Sequence, residues 1–323
     1  MTTPLPEALT ARIAAGGPIA FSEFMRTALY DPAFGYYRAA HDPFGKEGDF
    51  FTAAQLQPVF GILIAARIRM LREQLGNPAD FTVAELGAGR GEMAPALSEF
   101  EYVPVESGRG ELPDRVRGVI FSNEFFDALP VERAVWRGGR ALRMRVGAGD
   151  GVFHWVESEP VAPGEAEYIA RYFPPLEDGS TVEIHLESLA WMRRIAAALE
   201  SGFHFTIDYG FTRREAVRFP QGTLMGYQRH SARENVLEAP GERDITSHVP
   251  FSVLEECGAE LGLERIRFES LSRTLLDAGE RDQFAEALAA ASEKEESNRR
   301  LQLKTLLFGM GETFRTLIQR KRE

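Results

Sequence analysis

Two stretches of the chain carry residue types at spacings that could do chemistry. In Glu85-Leu86-Gly87-Ala88-Gly89-Arg90-Gly91 a glycine-rich turn follows a short apolar run, Phe81 to Leu86, and precedes helix formers from Glu92 to Glu99. Strand, glycine turn and helix in that order put backbone N–H groups and a helix N-terminus at the carboxyl end of a sheet, where an open α/β sheet has its ligand crevice. Gly87, Ala88, Gly89 and Gly91 keep bulk out of that crevice, so the backbone can approach a flat, large cofactor. A dinucleotide fingerprint needs a glycine three residues after its second; that position is Glu92, and here the third glycine comes after two. Glu85, at the strand end, can accept hydrogen bonds from a cationic amino-acid group through ordered water. The open alternative is a structural turn in which Glu85 caps a helix. Glu106 ends the next β-type run, Tyr102 to Val105, and is placed to hold ribose hydroxyls, with a solvated loop glutamate as its alternative.

The second stretch is Asn123-Glu124-Phe125-Phe126-Asp127-Ala128-Leu129-Pro130, after the run Val119 to Ser122. Asn123, Glu124 and Asp127 gather a carboxamide and two carboxylates at another strand end, making this the expected reaction site. Carboxylates suit a cationic acceptor such as a guanidinium, because bidentate pairing fixes the plane of the nitrogen. The competing reading is that Glu124 and Asp127 cap the next helix. Gly48, Asp49, Phe50, Phe51 and Thr52 form a polar and aromatic turn that could close over a cofactor, and Asp208-Tyr209-Gly210 lies at a further strand end; ordinary loop structure is the alternative for both. The six histidines lack metal-ligand spacing, so no metal is expected. No Gly-x-Ser-x-Gly elbow signals a hydrolase.

The elements that must position these residues are legible in outline. A helix is expected from Pro58 to Leu75, stopped by Gly76 and Pro78. Phe203 to Ile207 is a further β-type run, and several such runs separated by helices imply parallel strands. Between Val131 and Val161 the texture alternates, with turns at Gly138-Gly139 and Gly147 to Gly151, which reads as an antiparallel hairpin insertion. Helices are expected over Glu187 to Leu199 and Phe251 to Leu261, a strand over Arg265 to Leu271, a late antiparallel strand within Gly222 to His230, and a helical tail from about Arg281 to Lys321. The fold class expected is α/β, a doubly wound sheet with a β-hairpin insertion and helical additions at both ends.

Composition bounds the partners. Forty-eight acidic against 37 basic residues give a net charge of -11, which disfavours nucleic acid. No apolar run approaches the roughly 20 residues of a spanning helix, so no membrane insertion is expected. A single cysteine, Cys257, excludes an internal disulfide and fits a reducing compartment; a cytoplasmic location is the expectation. The oligomeric state stays open, a homodimer included.

These residues resemble a known family, the MidA-like or DUF185 methyltransferases. The likeness runs through Gly17-Pro18-Ile19, Phe34-Gly35-Tyr36-Tyr37, Gly48 to Thr52, Phe60-Gly61 and the glycine turn. It resumes at Asn123 to Pro130, Ile207 to Gly210, Gly222-Thr223-Leu224, Asp244 to Val249 and Leu307 to Glu312. The resemblance implies a class I, Rossmann-like methyltransferase fold, S-adenosyl-L-methionine as cofactor, and methylation of an arginine on a protein partner, a respiratory complex I-type subunit. It also implies substrate-side roles for Asp208, Tyr209 and His248. The layout expected is a lead-in over residues 1–57 packed on a methyltransferase domain over 58–323, with a β-rich insertion at about 131–185. One departure stands out: the segment between Glu99 and Val119 has room for one strand where the family pattern has two strands and a helix. Either Glu106 is the ribose ligand and the next strand is lost, or Tyr102 to Val105 is that later strand and the ligand is missing. The second branch would fit a non-catalytic assembly protein.

Overall fold

The computed structural model describes residues 4–38, 56–228 and 231–322; Gly48, Asp49, Phe50, Phe51 and Thr52 lie outside them. From the amino end come α1 (Leu5–Gly16), the short strand β1 (Ile19–Ala20), α2 (Phe21–Tyr30) and α3 (Val59–Gln74). The glycine turn joins β2 (Thr82–Leu86) to α4 (Ala94–Leu97), and β3 (Glu101–Val105) and β4 (Val116–Asn123) follow. Next are β5 (Glu132–Arg137), β6 (Arg140–Gly149), β7 (Val152–Pro160), α5 (Pro163–Tyr172) and β8 (Thr181–Ile184). Then α6 (Leu186–Ala198) leads into β9 (Leu199–Phe211), β10 (Met225–Gln228), β11 (Ser231–Arg233), β12 (Asp244–Thr246) and β13 (Val249–Pro250). The remaining elements are α7 (Phe251–Glu260), β14 (Glu264–Ser270), α8 (Leu271–Gly279), α9 (Ala285–Leu288), α10 (Glu293–Thr305), α11 (Gly311–Thr313) and β15 (Phe314–Lys321).

The chain divides into two compact units. One, formed by the described residues of 52–125, 191–210 and 254–323, holds a sheet in the order β14-β15-β9-β4-β2-β3. β3, β2, β4 and β9 run parallel, whereas β15 is antiparallel to both of its neighbours. Its strands are apolar in unbroken runs, such as Val119-Ile120-Phe121, because a parallel sheet covered on both faces has no wet side. Phe60, Ile64 and Ile68 of α3 and Leu271 and Leu275 of α8 join Val119, Phe121, Phe203 and Phe205 in one buried cluster.

The other unit takes the described residues of 1–51, 126–190 and 211–253. Its main sheet has the order β1-β6-β5-β8, with β7 paired to β6, and β10 pairs with β11 and β12 in a second, small sheet. The lead-in is built into this unit: Ile19 and Ala20 pair antiparallel with Val146 and Arg145 of the inserted hairpin. On α2, Phe21, Phe24, Met25 and Ala28 recur at helical spacing, and all are buried in a cluster with Val146 and Ile245.

Two expectations need correction. The tail is helical only as far as Leu306–Met310 and Gly311–Thr313, and Phe314–Lys321 is a strand. Thr316, Leu317, Ile318 and Gln319 are all buried, so an interior strand shows neither two-residue nor helical alternation. The helix expected over Glu92 to Glu99 is confined to Ala94–Leu97, because β3 begins at Glu101.

Close strand approach requires glycine at two paired positions. Thr82, Gly118 and Gly202 are register partners on β2, β4 and β9. Gly118 and Gly202 have φ of +153° and +135°; a Cβ would lie 2.1 Å from the Thr82 carbonyl oxygen at the first and 2.0 Å from that of Gly118 at the second. Both neighbours are backbone atoms of a paired strand. Gly118→Ala is therefore expected to destabilise the protein by about 2–4 kcal/mol, read as a lower urea midpoint at an unchanged slope.

Candidate active site

Strand register brings the chemistry to one edge. Leu86 aligns with Val105 on one side and Ser122 on the other, Ser122 with Thr206, and Asn123 with Ile207. The residues that follow, namely Glu106, the glycine turn, Glu124 and Asp208, therefore share the carboxyl edge of four parallel strands. Gly87 and Ala88 both donate their N–H to the Val105 carbonyl, at 2.9 and 3.3 Å, and Gly91 donates to Ala88 at 2.7 Å. Gly87, Gly89 and Gly91 have φ of +68°, +53° and +85°, left-handed values that glycine adopts without strain. At Gly87 a Cβ would also stand 3.0 Å from the Phe125 ring, so that space stays open only for glycine.

Glu106 pins this turn. One of its carboxylate oxygens accepts from Gly89 N–H at 2.9 Å and the other from Ser107 N–H at 2.8 Å. Glu106 and Arg109 exchange both backbone hydrogen bonds at 2.8 Å, and the Arg109 guanidinium donates to the Gly89 carbonyl. Because β3 pairs parallel with β2, Glu106 follows the strand beside the glycine turn, and among the described residues β3 is the edge of the sheet. Of the two arrangements open for the short segment, the parallel pairing of β3 with β2 is the one that puts the Glu106 carboxylate beside the glycine turn. Arg109 carries no motif, and only its folding back onto the turn reveals it.

Glu85 is 4 % exposed. Burial pushes its carboxyl up to about 7; the hydrogen bond from Tyr102 pulls it down, and the Glu92 and Glu106 carboxylates push it up further. Tyr102 donates at 2.5 Å. Sequence reading missed Tyr102 because it belongs to the adjacent strand, diagonal to Glu85, and becomes visible only with the β2–β3 register.

Asn123 and Glu124 end β4. Glu124 has φ +52°, an uncommon left-handed conformation for a side-chain-bearing residue, while its N–H donates to the Ile207 carbonyl at 3.0 Å. The Asn123 side-chain N–H donates to the Glu124 carboxylate at 3.1 Å, and the buried Oδ1 of Asn123 has no hydrogen-bond partner among the described residues. The turn sets Phe125 edge-on to Trp191, 5.0 Å between centroids, with Arg194 stacked 3.8 Å over the indole. Asp208 is buried and accepts from Tyr209 N–H at 2.9 Å; Tyr209 packs edge-on against Phe314.

Asp127 and His248 fall in the other compact unit. There Asp127 is buried and its carbonyl accepts from Ser247 N–H at 3.0 Å. Burial raises the Tyr37 and Tyr227 hydroxyls above the usual phenol range, and the carboxylates of Asp127 and Asp244 add to it. His248 is half-buried, held below the usual imidazole range by burial, and its ring stands edge-on to Phe219 at 5.1 Å.

The cofactor implied by the resemblance fits this site on three observations. Gly87 and Gly89 leave a cradle that a side chain would fill, and among the described residues the buried Asn123 Oδ1 has no hydrogen-bond partner and the buried Glu85 carboxyl has no paired cation. Glu85 would face the cationic amino-acid group, Glu106 the ribose, and the Gly87 to Gly91 turn would bear on the flat of the molecule. Among the described residues no group of three or more His, Cys, Asp or Glu could hold a metal ion, and no helix is long and apolar enough to cross a membrane.

Residues 99–269 match the family model described as "Putative S-adenosyl-L-methionine-dependent methyltransferase". A crystal structure of a Burkholderia thailandensis protein bound to S-adenosyl-homocysteine superposes with a TM-score of 0.88 at 30% identity, covering 98% of this chain and 92% of the other. The mitochondrial protein arginine methyltransferase NDUFAF7 homologue of Drosophila melanogaster is 25% identical, over 80% of this chain and 70% of its own. The human protein arginine methyltransferase NDUFAF7 is 26% identical, over 78% and 68%. The protein is an S-adenosyl-L-methionine-dependent methyltransferase of class I fold. Within that class, the chain belongs to the family whose model matches more than half of it.

The Glu85 carboxyl makes two measurable statements. Its folded value lies above the ordinary one, so its contribution to stability is present below about pH 4 and is lost as pH rises through about 7. Cofactor-free Glu85→Gln should accordingly be more stable than wild type at pH 8, by about 1–3 kcal/mol, and equal to it at pH 4. A cationic ligand favours the ionised form, so cofactor affinity in calorimetry should rise as pH passes through about 7. Tyr102→Phe, which removes the bond that lowers the carboxyl, should move that rise to higher pH, and Glu85→Gln should abolish it.

Proposed function

We propose that the protein transfers the methyl group to a guanidinium nitrogen of an arginine on a protein substrate. The observation that carries this reading is Glu124, a carboxylate held at the edge shared with the cofactor turn in a backbone conformation that costs about 1 kcal/mol or more. Its Asn123 hydrogen bond orients it. A carboxylate there can pair with a guanidinium and set the plane of the attacking nitrogen. The names of the fly and human relatives, both protein arginine methyltransferases, support the same acceptor.

Bound S-adenosyl-L-methionine supplies an electrophilic methyl on sulfur. The N–C bond would form as the C–S bond breaks, and Glu124 would accept the proton that the methylated guanidinium releases. Phe125 and Trp191 wall this edge against water, which would otherwise compete for orientation. Glu124 and Asn123 carry this role, with Asp208 and Tyr209, on β9 just past its last pairing with β4, as substrate contacts. Family resemblance makes a respiratory complex I-type subunit the first candidate substrate.

The test is methyl transfer from labelled cofactor to such a subunit, with the modified residue located by mass spectrometry. Label on arginine is expected. Glu124→Gln should lower kcat by about 10²–10³-fold while leaving cofactor affinity within about twofold. Label confined to lysine or to small molecules would overturn the assignment of the acceptor.

A further inference from the structure

At the amino edge of the same sheet, opposite the glycine turn, β4 and β9 begin and β15 ends. A cavity of about 320 Å³ opens there, lined among others by Gln74, Arg117, Ser201, Arg320, Lys321 and Arg322. Four of these are cations, and no carboxylate lines the cavity among the described residues. That is a strong local excess in a chain whose net charge is -11.

The charges are only partly compensated from outside. Arg117 stands 3.9 Å from the exposed Asp80, and Arg322 pairs at 2.9 Å with the exposed Glu264. Exposed pairs of this kind contribute little. Lys321 donates at 2.6 Å to the carbonyl of Ala196, a neutral acceptor. Arg320 lies 5.7 Å over the Phe203 ring, and its buried Nε has no hydrogen-bond partner among the described residues. Arg320 and Lys321 thus have no carboxylate partner among the described residues, and like charges gathered round a concave space repel one another. One anion placed among them would offset that repulsion. Guanidinium forks match phosphate oxygens in geometry and form charge-assisted hydrogen bonds with them. The space also exceeds what the bare ion fills and lies in the range of small-molecule sites.

We propose that this cavity binds a phosphate dianion carried by a small phosphorylated molecule, at a site separate from the methyl-transfer edge. Calorimetric titration of the full chain at about pH 8, with ionic strength held constant by chloride, tests it with two probes, inorganic phosphate and glycerol 3-phosphate. Saturable one-to-one binding is expected, tighter for the monoester. Arg320→Gln and Lys321→Gln should each weaken it about fivefold or more, with S-adenosyl-L-methionine affinity unchanged as the check that each variant is folded. Saturable binding of inorganic phosphate alone would keep the anion site and overturn the small-molecule carrier. Absence of saturation by about 20 mM of both probes, or equal binding by wild type and a folded variant, would overturn the site itself.

Discussion

β2 ends inside the protein, and the backbone groups at its end must find partners without the help of solvent. Gly87 and Ala88 solve this by turning both N–H groups onto the single Val105 carbonyl of β3, which only a left-handed turn at Gly87 allows. That constraint sets the rest of the edge. It places Glu106 beside Gly89, leaves the face over Gly87 clear beneath Phe125, and stops β2 with Glu85 one residue short of its end, buried and facing Tyr102.

The same arrangement stores an electrostatic cost. A buried carboxylate with one hydroxyl donor and two acidic neighbours resists ionisation, and the cofactor-free protein carries that tension. A ligand with a cationic amino group relieves it, so the group that weakens the empty protein is the one that gains most on binding. Stability given up locally in return for ligand recognition is a common feature of binding sites. Glu124 follows the same pattern at the next strand end, where backbone strain aims a carboxylate at the shared edge.

Among the described residues β3 forms the outer edge of the sheet beside the glycine turn. The segment after β3 folds back as a tight turn in which Glu106 and Arg109 bond to each other and both reach Gly89. These contacts hold the glycine turn at the outer edge of the sheet.

The local signals in the chain were sufficient for what depends on near neighbours. The turn from Gly87 to Gly91, the apolar runs of β2, β4 and β9, the helix α3 and the hairpin of β5 to β7 are each specified by dihedral needs and burial periodicity over a few residues, and so were legible. The glycine spacing spoke against a dinucleotide, and the cofactor class came from the family resemblance. What only the tertiary structure decided depends on partners far along the chain. β15 is a strand because β14 and β9 flank it, with Arg315 opposite Asp208, a pairing that no local pattern announces. Tyr102 reaches Glu85 only through strand register, and the grouping of Asp127 and His248 in one compact unit and Glu124 in the other is set by long-range packing. Periodicity reports which face of an element is buried; it carries no information about which other element buries it, and it falls silent where both faces are covered.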